Sequence, residues 1–103
     1  MSRFTNTASF KTGQKTVSVS GTPVRVFSGG ELGTAGLKVT LRAFLTNTGK
    51  ITLGNSSANA LNSGTSHFPL YPGESVSLQI KLFQDLWIDA AVNGEGVAFI
   101  YEA

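Results

Sequence analysis

Two sets of side chains in this sequence could in principle do chemistry, but neither has the partners or the spacing that a reaction needs. His67 is the only histidine, and no nucleophile or orienting acid near it in the sequence would complete a catalytic triad. Asp85 and Asp89 flank Trp87, an arrangement that could bind a sugar. Residues four apart on one strand, however, lie about 13 Å apart, whereas glycosidase carboxylates are separated by roughly 5–9.5 Å. We therefore expect no enzyme, and the same spacing prevents the two carboxylates from sharing one metal ion.

Phosphate and nucleic-acid binding are also disfavoured by the pattern. The glycines within 29–36 could cradle a phosphate, but a predicted strand follows them where a helix N-terminus is needed. Lys38 and Arg42, together with Lys81, could form a small basic patch. A sheet that binds nucleic acid would present more basic residues and exposed aromatic rings, and the net charge is only +2. We expect no cofactor, no bound metal and no nucleic-acid partner.

The composition is that of one small domain without covalent cross-links. The chain has 103 residues and no cysteine, and 14% of its residues are charged, against a typical ~25%. This length suits one core, and without disulfides the stability must come from packing or oligomerisation. No stretch of about 20 apolar residues occurs, so we expect no membrane span. The first residues lack the apolar region of a secretory signal, so we expect synthesis in the cytoplasm.

Alternation of apolar and polar residues predicts an all-β fold. The candidate strands are 14–20, 24–28, 37–45, 51–53, 68–70, 75–82, 86–92 and 96–101. In three of them the aliphatic residues share one face that is expected to point inward, and these are Val17, Val19, Leu37, Val39, Leu41, Ala43, Leu45, Leu86, Ile88, Ala90 and Val92. Short strands separated by turn residues predict a single antiparallel sandwich of seven to eight strands, jelly-roll-like, with an immunoglobulin-like sandwich as the alternative. Residues 1–13 show no period and are predicted to be a flexible N-terminal arm, which leaves 14–103 as the sandwich domain.

Two turns are indicated by their residues. Pro72 and Gly73 suit the second and third positions of a type II turn. Asn93 and Gly94 suit a type I′ hairpin between the last two strands, because both central residues of that turn need positive φ.

Five aromatic residues lie where a monomer would expose them. Phe27, Phe44 and Trp87 fall on the face opposite the aliphatic residues of their strands, and Phe4 and Phe10 lie in the predicted arm. A monomer of this size is not expected to display so much aromatic surface. We therefore predict a homo-oligomer in which these residues are candidate contacts, and a trimer is the favoured case for sandwiches packed side by side.

Three segments between 51 and 101 carry a family resemblance. They are 51–57 (ITLGNSS), a strand that ends in Gly-Asn-Ser; 70–78 (LYPGESVSL), a Pro-Gly-Glu turn before an alternating strand; and 86–97 (LWIDAAVNGEGV), a hydrophobic strand before a turn. Their order resembles that in small β-sandwich virion proteins of tailed bacteriophages, especially head decoration, or cement, proteins.

The resemblance implies a jelly-roll-like trimer made in the host cytoplasm. Such a trimer would bind the major capsid protein on the outer capsid surface and stabilise the capsid by bridging its subunits. The five aromatic residues would then be subunit or capsid contacts. The alternatives are a carbohydrate- or receptor-binding module, or a tail or neck structural component, of a phage particle.

Overall fold

The computed structural model describes residues 10–27, 37–80 and 85–102, which form two four-stranded sheets. The strands are β1 (Phe10–Thr16), β2 (Val24–Arg25), β3 (Leu37–Ala43), β4 (Ile51–Gly54), β5 (Phe68–Leu70), β6 (Ser75–Ile80), β7 (Trp87–Ala90) and β8 (Gly96–Glu102). A single-turn helix, α1 (Ser57–Ala60), lies between β4 and β5. None of the described helical segments is long and apolar enough to span a membrane.

Each of the first four strands pairs with one of the last four, in reverse order along the chain. The first sheet has the order β1-β8-β3-β6 and the second has the order β2-β7-β4-β5. Antiparallel pairs join β1 to β8, β2 to β7, β3 to β6 and β4 to β5. The chain therefore behaves as one long hairpin wound into two layers, which is the topology of a jelly roll. The predicted all-β sandwich is confirmed.

The core lies between the inner faces of the two sheets. The predicted inward residues of β3 and β7 are fully or almost fully buried, and these are Val39, Leu41, Ala43, Ile88 and Ala90. Phe27 packs edge-on against Phe99 and Tyr101, with ring centroids 4.6 and 5.2 Å away. Aromatic pairs in this geometry contribute about 0.5–1.5 kcal/mol beyond the area that they bury.

Phe27 is therefore a core residue and is only 4% exposed. The expectation that its ring lies on an outward face is wrong. Strand alternation does not apply to Phe27, because β2 already ends at Arg25 and the chain beyond it turns the ring inward.

The N-terminal boundary differs from the prediction. β1 begins at Phe10 and pairs with β8 along its whole length, so residues 10–13 of the predicted arm belong to the first sheet. Alternation of apolar and polar residues does not indicate a strand there, because Gly13 has no side chain. The ring of Phe99 on the paired strand occupies the space beside Gly13. Residues 1–9, including the candidate contact Phe4, lie outside the described part of the chain.

Three glycines with positive φ carry the chain from one sheet to the other. Gly21, Gly73 and Gly94 have φ angles of 88°, 83° and 83°. Each occupies the third position of a turn closed by a backbone hydrogen bond, Thr22 N to Val19 O, Glu74 N to Tyr71 O, and Glu95 N to Val92 O. The positive φ that a type II turn requires at Gly73 is present, as predicted.

The predicted type I′ hairpin at Asn93-Gly94 is wrong. Gly94 has positive φ but Asn93 does not, and a type I′ turn needs it at both residues. β7 and β8 lie in different sheets, so this turn is a corner between layers. Two turn residues alone cannot distinguish a hairpin from a corner, because the partner of each strand is chosen by the burial of its whole inner face.

β8 begins at Gly96, directly beside β1, and this close approach yields a stability prediction. A Cβ on Gly96 would overlap the carbonyl oxygen of Lys15 on β1, and backbone cannot move aside as a flexible side chain can. We expect Gly96→Ala to lower the free energy of unfolding in urea by about 1–3 kcal/mol. The matched control is Gly64→Ala, where the added Cβ meets only an ordinary contact with Leu61 O and the expected change is within about 0.5 kcal/mol. Equal effects of the two substitutions would contradict the close approach.

Candidate interaction surface

Four loops lie side by side at one end of the sandwich. They are 17–23, 91–95, 44–50 and 71–74, which join β1 to β2, β7 to β8, β3 to β4 and β5 to β6. Each loop crosses between the sheets, so their order follows the order of strands in the first sheet, β1-β8-β3-β6. With neighbouring strands about 4.8 Å apart, the four loops span about 14 Å. We call this end of the molecule the loop row.

Each loop of the row presents one large apolar side chain to solvent. Val19, Val92, Leu45 and Tyr71 are 55%, 40%, 73% and 53% exposed. They are four of the seven exposed large hydrophobic residues in the described part of the chain. Single exposed apolar residues are ordinary, but one on each of four adjacent loops concentrates apolar surface at one end of the molecule, and such a concentration marks an interaction site.

Sequence periodicity placed three of these residues in the core. Val19, Leu45 and Val92 each follow a buried residue by two positions, namely Val17, Ala43 and Ala90. The alternation therefore predicted that they face inward, but β1, β3 and β7 end before reaching them. The signal that could have identified them is the turn residues that follow, Gly21, Asn47 and Gly94, which indicate that the chain is already leaving the strand.

Asn47 fixes the loop 44–50 to the start of β8. Its side chain is buried, its Nδ2 donates to Gly96 O at 2.9 Å, and its Oδ1 accepts from Gly96 N at 3.4 Å. The backbone N–H of Phe44 also donates to Gly96 O, at 3.1 Å. The amide of Asn47 thus continues the pairing of β3 with β8 beyond the end of β3.

Glu95 binds the same loop from the neighbouring turn. Its carboxylate accepts hydrogen bonds from Thr48 N (2.7 Å), Thr48 Oγ1 (2.9 Å) and Gly49 N (3.0 Å). Desolvation by burial acts to raise the pKa of Glu95, but the bonds from Gly49 and Thr48 outweigh it and hold this pKa below its ordinary value. The carboxylate of Glu95 is therefore hydrogen-bonded within the loop row.

The remaining loops are joined in the same way. Ser20 N donates to Asn93 Oδ1 at 2.7 Å, and Gly94 N donates to Val17 O at 2.7 Å. At the other end of the row, Gly73 N donates to Ala43 O at 3.1 Å. Every loop is thus hydrogen-bonded to an adjacent loop or strand end, and the row is held in one shape before any partner arrives.

Asp89 connects the loop row to the outer face of the second sheet. It is fully buried, and its Oδ1 accepts from Gly21 N at 3.0 Å and from Ala90 N at 2.8 Å. Its Oδ2 accepts from Asn62 N at 2.8 Å, in the segment after α1. Beside it, Thr52 Oγ1 donates to Ala60 O at 2.6 Å. Both oxygens of Asp89 are therefore committed to backbone N–H groups, so this side chain is not presented beside Trp87 as a sugar site would require.

The predicted aromatic contacts lie in different places. Phe10 is 67% exposed on the outer face of the first sheet, and Phe44 is half-buried at the start of a loop in the row. Trp87 is half-buried on the outer face of the second sheet, where the guanidinium of Arg25 lies 5.0 Å from its ring centroid, in a cation–π contact. The structure does not bring Phe10, Phe44 and Trp87 together into one surface.

His67 supports the long loop between β4 and β5. Its Nδ1 is 3.1 Å from Leu61 O, and since a carbonyl oxygen only accepts, Nδ1 is the donor. Nε2 then accepts from Lys50 Nζ at 3.4 Å. Within the described residues, no group of three or more His, Asp or Glu is placed to hold a metal ion.

Comparison of the chain with protein-family models, with curated proteins and with solved structures finds no match.

The Asp89 contacts predict a stability effect. In Asp89→Asn the amide replaces one accepting oxygen with a donor, so at least one backbone N–H that the carboxylate now binds loses its partner in a buried site. We expect a loss of about 1–3 kcal/mol in the free energy of unfolding, measured by urea denaturation. The control is Asp85→Asn, at an exposed position, with an expected change within about 0.5 kcal/mol. A near-neutral Asp89→Asn would show that the carboxylate does not hold these loops.

Glu95 predicts a pH dependence. Because its folded pKa lies below the ordinary 4.5, ionised Glu95 stabilises the fold above pH 4.5, and that contribution is lost as the pH falls through the folded pKa. Wild type should therefore melt at a higher temperature than Glu95→Gln at neutral pH, and the difference should shrink as the medium is acidified below 4.5. Thermal melts from pH 7 to pH 3 test this, and a difference that stays constant with pH would contradict it.

Proposed function

We propose that this chain is a structural virion protein of a tailed bacteriophage, a decoration or cement protein. It binds the outer surface of the capsid through the major capsid protein and stabilises the capsid by bridging its subunits. The observation that carries the proposal is the loop row, four adjacent loops held by hydrogen bonds that each expose one large apolar side chain. Its expected location is the capsid surface of the virion.

The physics of the loop row suits docking on a protein surface. Leu45, Val19, Tyr71 and Val92 offer apolar area to a partner, and burial of a side chain of this kind contributes about 1.5–3 kcal/mol. The carboxylate of Glu95 is satisfied by backbone donors, and that of Glu74 accepts from Tyr71 N at 2.9 Å. Both carboxylates can keep these hydrogen bonds when a partner binds. The loops also have little conformational freedom left to lose on binding.

The family resemblance supports the same surface. Two of the three resembling segments, 70–78 and 86–97, contribute turns to the loop row, at 71–74 and 91–95. Part of the resemblance therefore lies in two of the four loops that form the proposed contact.

One copy offers a small contact, which is why we include an oligomer in the proposal. A row about 14 Å long is short compared with stable protein interfaces, which bury about 800 Å² per partner. A homo-oligomer, with a trimer as the favoured case, would present several loop rows to the capsid lattice at once. Linked contacts raise the overall avidity without new contacts, provided that all can engage together.

The carbohydrate- or receptor-binding alternative has less support from the geometry. Its residues were Trp87, Asp85 and Asp89, but Asp89 is buried and Arg25 lies over the ring of Trp87. A glycan array distinguishes the two functions, because the cement function predicts no glycan binding. A tail or neck component would differ only in location, which cryo-electron microscopy of the assembled particle would show.

The proposal predicts that the protein protects capsids and that the loop row is required. Capsids that lack the protein, purified from the phage that encodes it, should survive heating or osmotic shock better after wild-type protein is added. Leu45→Ser and Val19→Ser should each weaken capsid binding about tenfold or more, since about 1.4 kcal/mol corresponds to a factor of ten.

The matched control is Phe68→Ser, which removes an exposed apolar side chain from β5 outside the loop row. This variant should bind and protect as the wild type does. Equal capsid survival with and without wild-type protein would overturn the proposed function. Equal loss of binding in all three variants would show that the loop row is not the contact.

A further inference from the structure

The outer face of the first sheet is open, unlike that of the second sheet. On the second sheet, Thr52 and Asp89 point outward and are nevertheless fully buried, because α1 and the loops beside it cover them. On the first sheet, the outward residues whose burial the structure describes are exposed or half-buried on all four strands. They line a groove of about 520 Å³, which includes Thr12, Gln14, Thr40, Arg42, Ser75 and Ile100. The groove is an open depression, which suits contact with a protein surface better than enclosure of a small ligand.

Arg42 lines this groove from β3, one of the two inner strands of the sheet. Its cross-strand neighbours are Ser75 on β6 and Ala98 on β8, two small residues that leave space around the guanidinium. Within the described part of the chain, Arg42 has no hydrogen-bond or ion-pair partner. A guanidinium has five donors in a planar fork that matches a carboxylate, and here the fork is uncommitted.

The outer face of the first sheet carries more basic than acidic residues. Its outward positions hold Lys38 and Arg42, and β8 ends at one acidic residue, Glu102. Lys11 and Lys15 pair with Tyr101 and Val97 and so belong to the opposite face. Other acidic side chains are committed elsewhere: those of Glu74, Asp89 and Glu95 accept from backbone N–H groups. This face should therefore attract a negatively charged partner.

The surroundings of Arg42 indicate which anion fits. Hydroxyl groups of Thr12, Thr40 and Ser75 can donate to or accept from a partner's polar groups, and the Thr40 and Ser77 hydroxyls are 2.8 Å apart. Ile100 is an exposed apolar side chain that lines the groove, and it can make aliphatic contact with a protein. Bidentate pairing of arginine with a carboxylate adds geometric specificity to the charge.

We infer that the outer face of the first sheet is a second docking surface, which takes an acidic side chain of a protein partner with its carboxylate on Arg42. The inference rests on the proposed function in one respect, that the partner is a protein surface. The molecule would then have two contacts of different chemistry. One is the apolar loop row at one end, whose carboxylates are already hydrogen-bonded, and the other is the basic, hydroxyl-lined face on one side.

The test is an NMR titration of the isotopically labelled full chain with a blocked Gly-Glu-Gly peptide at millimolar concentration. A blocked Gly-Gln-Gly peptide is the neutral control. The acidic peptide should shift the backbone amide signals of Arg42, Ser75 and Ala98, and the effect should weaken as salt is raised. Arg42→Gln should weaken this binding at least fivefold. Arg25→Gln removes the same charge from the opposite sheet and should leave the binding unchanged.

Several outcomes would overturn the inference. These are equal shifts with the neutral peptide, equal effects of the two arginine substitutions, and shifts produced by a short oligothymidine but not by the acidic peptide. The last would assign the face to nucleic acid.

A parallel measurement of capsid binding separates this inference from the proposed function. Peptide binding at Arg42 by a protein that binds no capsids would overturn the cement function and support the carboxylate site. Capsid binding that is the same for wild type, Arg42→Gln and Arg25→Gln, without peptide shifts, would overturn the carboxylate site and leave the cement function standing.

Discussion

The structure depends on the contacts that meet at Glu95 and Gly96, where β8 begins. Gly96 lies so close to β1 that no side chain fits there, and its carbonyl oxygen accepts from both Phe44 N and Asn47 Nδ2. Glu95 accepts from Val17 N through its carbonyl oxygen and binds the loop 44–50 through its carboxylate. Two adjacent residues thus connect β1, β3 and β8 at the end of the first sheet where the loop row lies.

The same contacts explain why one end of the sandwich can expose apolar side chains in a defined arrangement. Loops usually carry function but are mobile. Here the polar groups of the loop row are used to bind one loop to the next, so the apolar side chains are what remains for a partner. The outer face of the first sheet shows the opposite arrangement, because within the described part of the chain the guanidinium of Arg42 has no hydrogen-bond or ion-pair partner.

Sequence reasoning succeeded where short-range physics decides the structure. Pro72 pre-sets its own φ and Gly73 tolerates positive φ, so their turn could be predicted from two residues. Val39, Leu41 and Ala43 alternate with polar residues and are buried as predicted, because the pleat of a strand sends successive side chains to opposite faces. The same rule failed at Val19, Leu45 and Val92, since alternation continues in the sequence after the hydrogen-bonded strand has ended. The candidate site was therefore hidden among residues that the pattern assigned to the core.

The amino-acid sequence by itself determined the all-β class, most strands, the inward residues of their central parts and the need for tight turns, because each follows from local geometry and side-chain period. Only the tertiary structure decided which strands pair, since pairing depends on the burial of whole faces that are distant in the chain. It converted the Asn93-Gly94 turn into a corner between sheets, moved Phe27 into the core and took Asp89 away from Trp87. It also placed Arg42 in an open groove and brought four separate loops side by side at one end of the sandwich.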